Sequence, residues 1–499
     1  MAFSAKPQNV ALFFLFLPFL ISTCTEYQSL VLAPLRISPE LHSDDLHTWT
    51  ADPETLTSAE TAKSLRIDVT HRDSVFSGNH TPDLAFQLRL DRDAARVFKI
   101  EETLESASLI AAISTRNRTR RGRKSFSSAV VSGLAQGSGE YFTRIGIGTP
   151  ARYLYMVLDT GSDVVWLQCA PCRRCYAQSD PIFDPHLSSS FSVVPCDSAL
   201  CRRLDVAGCD TRRLSCLYQV SYGDGSLTTG EFATETLTFR GGARATRIAL
   251  GCGHDNEGLF VAAAGLLGLG RGRLSFPTQA GRSFNSRFSY CLVDRTSSNS
   301  AAATVRDSSV IFGDAAIPRR NQQLAAFTPM VQNPKMDTFY YVEVTGVSVG
   351  GTKVAGVTGQ ALHLDPATGR GGVIVDSGTS VTRLTRPAYS ALRDAFKAGA
   401  AESGLRMSPG GFSLFDTCYD LAGKKEVKVP TVVMHLAGGS DVSLPAENYL
   451  IPVDTKGTFC FAFAGTDSGV SIIGNIQQQG FRVVFDSAGR RVGFVPGGC

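Results

Sequence analysis

Two stretches of this chain repeat one pattern at widely separated places. MVLDTGSDVVWL occupies 156–167, and VIVDSGTSVTRL occupies 373–384. Each is an apolar strand, then Asp-[Thr/Ser]-Gly-[Ser/Thr], then a second apolar strand. Downstream of each comes a hydrophobic-Gly element, AAGLLGLG at 263–270 and SIIGNI at 471–476. One Asp-Thr-Gly is weak evidence, because Asp, Thr and Gly all favour turns. Two copies, both flanked by strands and both followed by the same element, predict two homologous β lobes. The expected fold is all-β and bilobal, with a cleft between the lobes and one Asp from each facing it.

Bulk properties agree. A length of 499 residues suits two or three domains. With 43% hydrophobic and 19% charged residues the chain can bury large cores. Abundant Gly, with Val, Ile, Thr, Phe and Tyr in short runs, leans toward strands and tight turns. A net charge of +4 is too small to argue for nucleic acid, and much of it sits in one run, Arg116 to Lys124.

The start reads as a targeting signal. Val10 to Ile21 is almost wholly apolar and the small residues Ser22 to Thr25 follow. That run is short for a membrane span of about 20 residues, so cleavage is preferred over an anchor. Residues 25–124 contain no cysteine beyond the signal's edge and many charges of both signs. Within them Leu84 to Ile100 reads as an amphipathic helix, with opposite charges three and four apart. The run RNRTRRGRK reads either as a solvated linker or as an exposed processing site; the second is preferred because the β-textured chain with both Asp motifs begins just beyond it. The expected divisions are a signal peptide at 1–24, a prosegment at 25–124, an N-terminal lobe at 125–330 and a C-terminal lobe at 331–499. Sequons at Asn79 and Asn117 are candidate glycosylation sites in the prosegment.

Thirteen cysteines are present, and Cys24 leaves with the signal or at its edge. The remaining twelve, in an oxidising compartment, suggest six disulfides. The zinc-like spacing Cys169-x-x-Cys172-x-x-Cys175 is the competing reading.

The paired Asp motifs carry a definite chemistry. Two close carboxylates cannot both ionise readily, so they share a proton. The ionised member, Asp159 or Asp376, polarises a water, and its partner protonates or hydrogen-bonds the reacting carbonyl. Gly161 and Gly378 allow a sharp turn and close backbone approach, and their amides can donate to the carboxylates. Ser162 and Thr379 are expected to hydrogen-bond the outer carboxylate oxygens.

On these residues the chain resembles the pepsin-like aspartic peptidase family, in particular its plant nepenthesin-like branch and, within it, the guard-cell aspartic proteases. The resemblance covers roughly 137–499. It implies Asp159 and Asp376 as the catalytic pair and internal peptide-bond hydrolysis in acid. It implies a flap in SYGDGS (221–226), with Tyr222 over the substrate, a flexible tip at Gly223, Asp224 and Gly225, and Trp166 bonded to the flap Tyr. The Cys-rich stretch 169–216 matches that branch's insertion. Its connectivity implies Cys169–Cys172, Cys175–Cys252, Cys196–Cys216, Cys201–Cys209, Cys291–Cys499 and Cys418–Cys460. The expected partner is a peptide or protein substrate. No cofactor, metal or nucleic acid is implied, nor a membrane after signal cleavage, and a monomer is expected. The expected place is the extracellular space, with the endoplasmic reticulum or vacuole as alternatives.

No His-Glu-x-x-His metal motif occurs. GLGRG at 268–272 lacks the βαβ context of a nucleotide site. The rival from another class is an inactive relative that uses the same fold to bind proteins. Such members typically lose or distort one Asp motif, and both are intact here.

Overall fold

Among the described residues, three elements precede the first lobe. Strand β1 is Tyr27–Val31, β2 is Ser64–His71, and helix α1 is Pro82–Arg116. They belong to a computed structural model, which describes residues 26–33, 35, 64–72, 80–116, 141–221, 226–239, 242–258, 263–292, 308–318 and 322–497. The signal at 1–24, both sequon asparagines and most of the Arg116–Lys124 run lie outside the described residues, as does the expected lobe start at 125.

The N-terminal lobe comes next. Its main strands include β3 (Tyr141–Ile147), β4 (Arg152–Asp159), β5 (Trp166–Gln168), β6 (Ser215–Ser221), β7 (Leu227–Thr238), β8 (Arg244–Glu257) and β9 (Gly265–Gly268). β3 pairs antiparallel with β4, β7 with both β6 and β8, and β9 runs parallel to β4. Every residue of β3 but Arg144 is buried, as expected of a strand covered on both faces.

Between the lobes lies an antiparallel sheet that runs in the order β2, β11 and β10 and then continues into strands from the chain's far end. β10 is Arg287–Cys291, β11 is Ser308–Gly313 and β12 is Ala326–Val331. β2 pairs with β11, β11 with β10, and β2 also reaches β3 through His71 and Tyr141. A strand from before α1 is thus built into the sheet that joins the lobes.

The C-terminal lobe repeats the first. β13 is Tyr340–Val342, β14 is Val373–Val375 and β15 is Thr382–Thr385. Helix α2 (Arg386–Glu402) takes Pro387 in its first turn and buries Ala388, Tyr389, Leu392, Phe396 and Ala400 along one stripe. It stops before Gly404, whose φ of +76° suits a residue without a side chain. β16 (Glu426–Pro430) accepts β1 at its edge, and β17 (Phe463–Thr466) runs parallel to β15. β18 (Ser471–Ile473) runs parallel to β14, as β9 does to β4. β19 (Phe481–Asp486) and β20 (Arg491–Pro496) then close the central sheet against β10 and β12.

Disulfide partners differ from those that the resemblance implied. Cys169 pairs with Cys252 and Cys172 with Cys175, in place of Cys169–Cys172 and Cys175–Cys252. β5 runs parallel to β8 with Leu167 opposite Cys252, which brings Cys169 within 5.3 Å of Cys252 between Cα atoms. Cys196 pairs with Cys209 and Cys201 with Cys216, in place of Cys196–Cys216 and Cys201–Cys209. Here burial sorts the partners. Cys201 and Cys216 share one apolar cluster with Trp166 and Phe232, whereas Cys209 is exposed. Cys418 bonds Cys460, its neighbour across a strand pair. Cys291 is disulfide-bonded, and Cys499 lies outside the described residues.

Candidate active site

The two Asp turns meet where the lobes touch. β4 delivers Asp159 and β14 leads into Asp376, and each turn is locked by the hydrophobic-Gly strand beside it. Leu269 N–H donates to Asp159 O at 2.7 Å, and Asp376 N–H donates to Ile473 O at 3.2 Å. Gln478 Nε2 adds a bond to Asp376 O at 3.1 Å. Both carboxylates are buried, at 3% and 0% exposure.

The turns also grip each other across the lobe boundary. Ser377 N–H donates to Thr160 Oγ1 at 2.8 Å, and Thr160 N–H reaches Ser377 Oγ at 3.4 Å. Thr160 Oγ1 lies 3.1 Å from Asp376 Oδ1. Thr160→Val removes the acceptor of a buried amide and is expected to destabilise the folded chain by about 1–3 kcal/mol. Ser377→Ala should cost less, about 0.5–1.5 kcal/mol, since the amide it leaves is the longer bond. Urea unfolding of the two variants beside wild type checks the order.

Each Asp receives the amide two residues on. Gly161 N–H donates to Asp159 Oδ1 at 2.9 Å and Gly378 N–H to Asp376 Oδ1 at 3.2 Å. Thr379 Oγ1 donates to Asp376 Oδ2 at 2.6 Å, as expected from the sequence. Ser162 does not follow it: its buried Oγ has no hydrogen-bond partner among the described residues. The hydroxyl at this place in the first turn therefore does not support Asp159. Asp163, next along, is half-buried and accepts Thr338 Oγ1 at 2.7 Å and Gly272 N–H at 2.8 Å. Burial pushes it up to about 6 against those two bonds, so it is uncharged in acid.

What fills the site is α1. Arg96 Nη2 donates to Asp159 Oδ1 at 2.5 Å and to Asp376 Oδ1 at 3.0 Å, while its Nε donates to Asp376 Oδ2 at 3.0 Å. One nitrogen thus touches both carboxylates. A side chain at Gly161 or Gly378 would lie 2.6 Å or 2.4 Å from this guanidinium, so the glycines here serve close approach to whatever lies between the lobes. Burial opposes the charge on Arg96, but the two carboxylates outweigh it and raise its pKa above the ordinary value. Burial likewise pushes Asp376 up. The Arg96 guanidinium, then Thr379 and Gly378, outweigh that and hold Asp376 below the usual carboxylate range.

Neighbouring turns of α1 dock beside this clamp. Asp93 bonds Arg383 and the amides of Ser380 and Val381, and Arg89 Nη2 donates to Asn475 Oδ1 at 3.2 Å. Phe86 and Leu90 join a cluster with Val381, Phe415 and Ile476; Val97 and Ile100 join another with Phe339, Ile374 and Ile472. Each such side chain contributes about 1.5–3 kcal/mol of burial before ordering costs. Reading the sequence for amphipathicity did not single out Arg89, Asp93 and Arg96. The available signal was their place: all three fall on the stripe of Phe86, Leu90, Val97 and Ile100, where a surface helix would keep charges out.

Trp166 is wholly buried in the N-terminal lobe. Tyr222, Gly223, Asp224 and Gly225 lie outside the described residues. The arms that lead to them, β6 and β7, pair antiparallel up to Ser221 opposite Leu227. Among the described residues no group of His, Cys, Asp and Glu is placed to hold a metal, and no helix is long and apolar enough to cross a membrane.

Two β lobes that pair Asp turns across a shared sheet define the pepsin-like class of folds. Residues 141–314 match the family described as Xylanase inhibitor N-terminal, and 339–496 match Xylanase inhibitor C-terminal. Over 437 residues the chain is 64% identical to Aspartyl protease family protein 2 of Arabidopsis thaliana, covering 87% of this chain and 85% of that one. It is 45% identical to the Arabidopsis thaliana protein Aspartic protease in guard cell 2, covering 89% of each. Identity to aspartic proteinase nepenthesin-1 of Nepenthes gracilis is 39%, over 74% of this chain and 81% of that one. Among solved structures, that of edgp matches with a TM-score of 0.58 at 20% identity, over 74% of this chain and 93% of that one. The chain belongs to the plant branch of the pepsin-like aspartic protease family.

Proposed function

We propose that this protein is an aspartic endopeptidase, made as a secreted zymogen, with Asp159 and Asp376 as its catalytic pair. The observation that carries this reading is the single Arg96 nitrogen shared by two buried carboxylates from opposite lobes. A group that bridges both carboxylates marks the place where an attacking water would sit. With Arg96 gone, the pair shares one proton. Among the described residues Thr379, Gly378 and Thr160 all approach the Asp376 carboxylate, so the charge resides preferentially there. The ionised carboxylate takes a proton from water as it attacks the scissile carbonyl. The protonated one donates to the carbonyl oxygen, and the roles reverse as the leaving amine is protonated. No covalent intermediate forms.

Residues 25–124 act as the prosegment. At neutral pH the Arg96 clamp, the Asp93 contacts and the apolar stripe of α1 close the cleft. Because the Asp376 pKa in the closed state is depressed, its contribution to closure is complete above about pH 4 and is lost as pH falls through the depressed value. Acid therefore loosens the clamp, and a cut in the Arg116–Lys124 run frees the enzyme. The extracellular space is the expected destination.

The test is digestion of an unfolded protein substrate from pH 2 to 8 by acid-treated, oxidatively refolded protein. Cleavage confined to acid and blocked by pepstatin is expected. A folded, prosegment-free protein without activity at any pH would favour a protein-binding scaffold, the role suggested by the xylanase-inhibitor description of the matching families.

A further inference from the structure

The carboxylate of Asp93 is gripped by three groups from the chain that comes after Asp376. Its Oδ1 accepts the backbone N–H groups of Ser380 at 2.5 Å and Val381 at 3.2 Å. Its Oδ2 accepts Arg383 Nη2 at 2.6 Å. Two converging amides and a guanidinium form a strong carboxylate receptor, since bonds to charged partners are about twice as strong as neutral ones. The side chains are deeply buried, Arg383 at 6% exposure and Asp93 at 0%. Among the described residues, Asp93 is the only ion-pair or hydrogen-bond partner of the Arg383 side chain. The residues in register with Arg383 are Ala464 on β17 and Ile472 on β18, and neither carries a charge.

The internal repeat sharpens the point. Arg383 stands seven residues after Asp376, as Trp166 stands seven after Asp159. Both pair with the hydrophobic-Gly strand of their own lobe, Trp166 opposite Leu266 and Arg383 opposite Ile472. One lobe holds an apolar ring at this place and the other a cation. When α1 leaves, that cation and two amides lose their carboxylate and are open to another one.

The site lies close to the reacting centre. Asp93 and Arg96 are three residues apart on α1, about 4.5 Å along a helix axis. An extended peptide advances about 3.3 Å per residue. We propose that Ser380 N–H, Val381 N–H and Arg383 form a carboxylate-binding subsite of the open cleft, which selects Asp or Glu in the substrate one or two residues from the cleaved bond. This rests on the peptidase reading and adds to it a chemical class of substrate. Asp93 then serves in the zymogen as a built-in mimic of that substrate side chain.

The experiment uses prosegment-free protein and hydrophobic hexapeptides that differ only by Glu or Gln at each position in turn. Each peptide is made in a cleavable form and in a non-cleavable form with a reduced scissile bond. The expected result at pH 5 is a Glu/Gln ratio of at least about tenfold, in kcat/KM and in binding, at one position within two residues of the cut. The ratio should shrink below about pH 4, where a free Glu is protonated. Arg383→Gln should bring the ratio near one, and Arg383→Lys should keep part of it. Cleavage with no Glu/Gln discrimination at any position overturns the subsite and leaves the peptidase standing. Glu-selective binding without cleavage overturns the peptidase and leaves the subsite. The wild-type ratios decide even should Arg383→Gln fail to fold.

Discussion

Asp376→Asn is expected to lower kcat/KM by roughly 10⁴-fold at every pH, and Asp159→Asn to do the same, because an amide can neither take nor give the proton that the reaction moves. The shapes are nearly equal, so both variants should fold. They should differ in the zymogen. Of the hydrogen bonds described above from Arg96, Asp376 accepts two and Asp159 one. Asn at 376 also sets an amide donor against the Arg96 guanidinium or Thr379. The Asp376→Asn zymogen should therefore expose α1 to a neutral protease sooner than Asp159→Asn. Equal exposure of α1 in the two variants would sink this account of the clamp. Residual turnover of more than a few percent in either would sink the role of the pair.

Arg96→Met should loosen the zymogen more than any other single change in α1. It removes the cation that bridges two buried carboxylates and leaves both without it. Breaking a buried ion pair from one side costs about 3–5 kcal/mol, or roughly 10²- to 10⁴-fold in closure. The apolar stripe stays, and Phe86, Leu90, Val97 and Ile100 each still contribute about 1.5–3 kcal/mol. The helix should thus remain partly docked, and inhibition should weaken rather than vanish. The pH of half-maximal conversion should rise, because Asp376 loses the cation that holds it ionised. Conversion of wild type and Arg96→Met, followed on gels from pH 3 to 7, reads this directly. An unchanged midpoint would show that Asp93 and the apolar stripe close the cleft without Arg96.

How much was legible depended on the range of the interaction. The two Asp turns could be read because strand, turn glycine and hydroxyl lie within a few residues of each other. Thr379 donates as the motif suggests, yet Ser162 at the matching place does not. Local pattern set the type of residue and did not set its partner. Helix α2 carries its signals in the same local way, with Pro387 in its first turn and apolar residues along one stripe. For α1 the pattern marked a helix and missed what its charges were for.

By itself, then, the sequence determined two β lobes, an Asp turn in each, and an N-terminal segment of different texture, because strand alternation, turn chemistry and internal repetition are written in neighbouring residues. Tertiary structure alone decided which distant groups meet. Cys169 finds Cys252 because β5 lies beside β8, and Cys201 finds Cys216 because both are buried in one cluster. Arg96 finds Asp376 across 280 positions and Asp93 finds Arg383 across 290, because the apolar stripe of α1 seats the helix between the lobes. Charges and thiols carry no record of their partners in the chain. Burial against a particular surface chooses the partner, and that surface exists only once the lobes have formed.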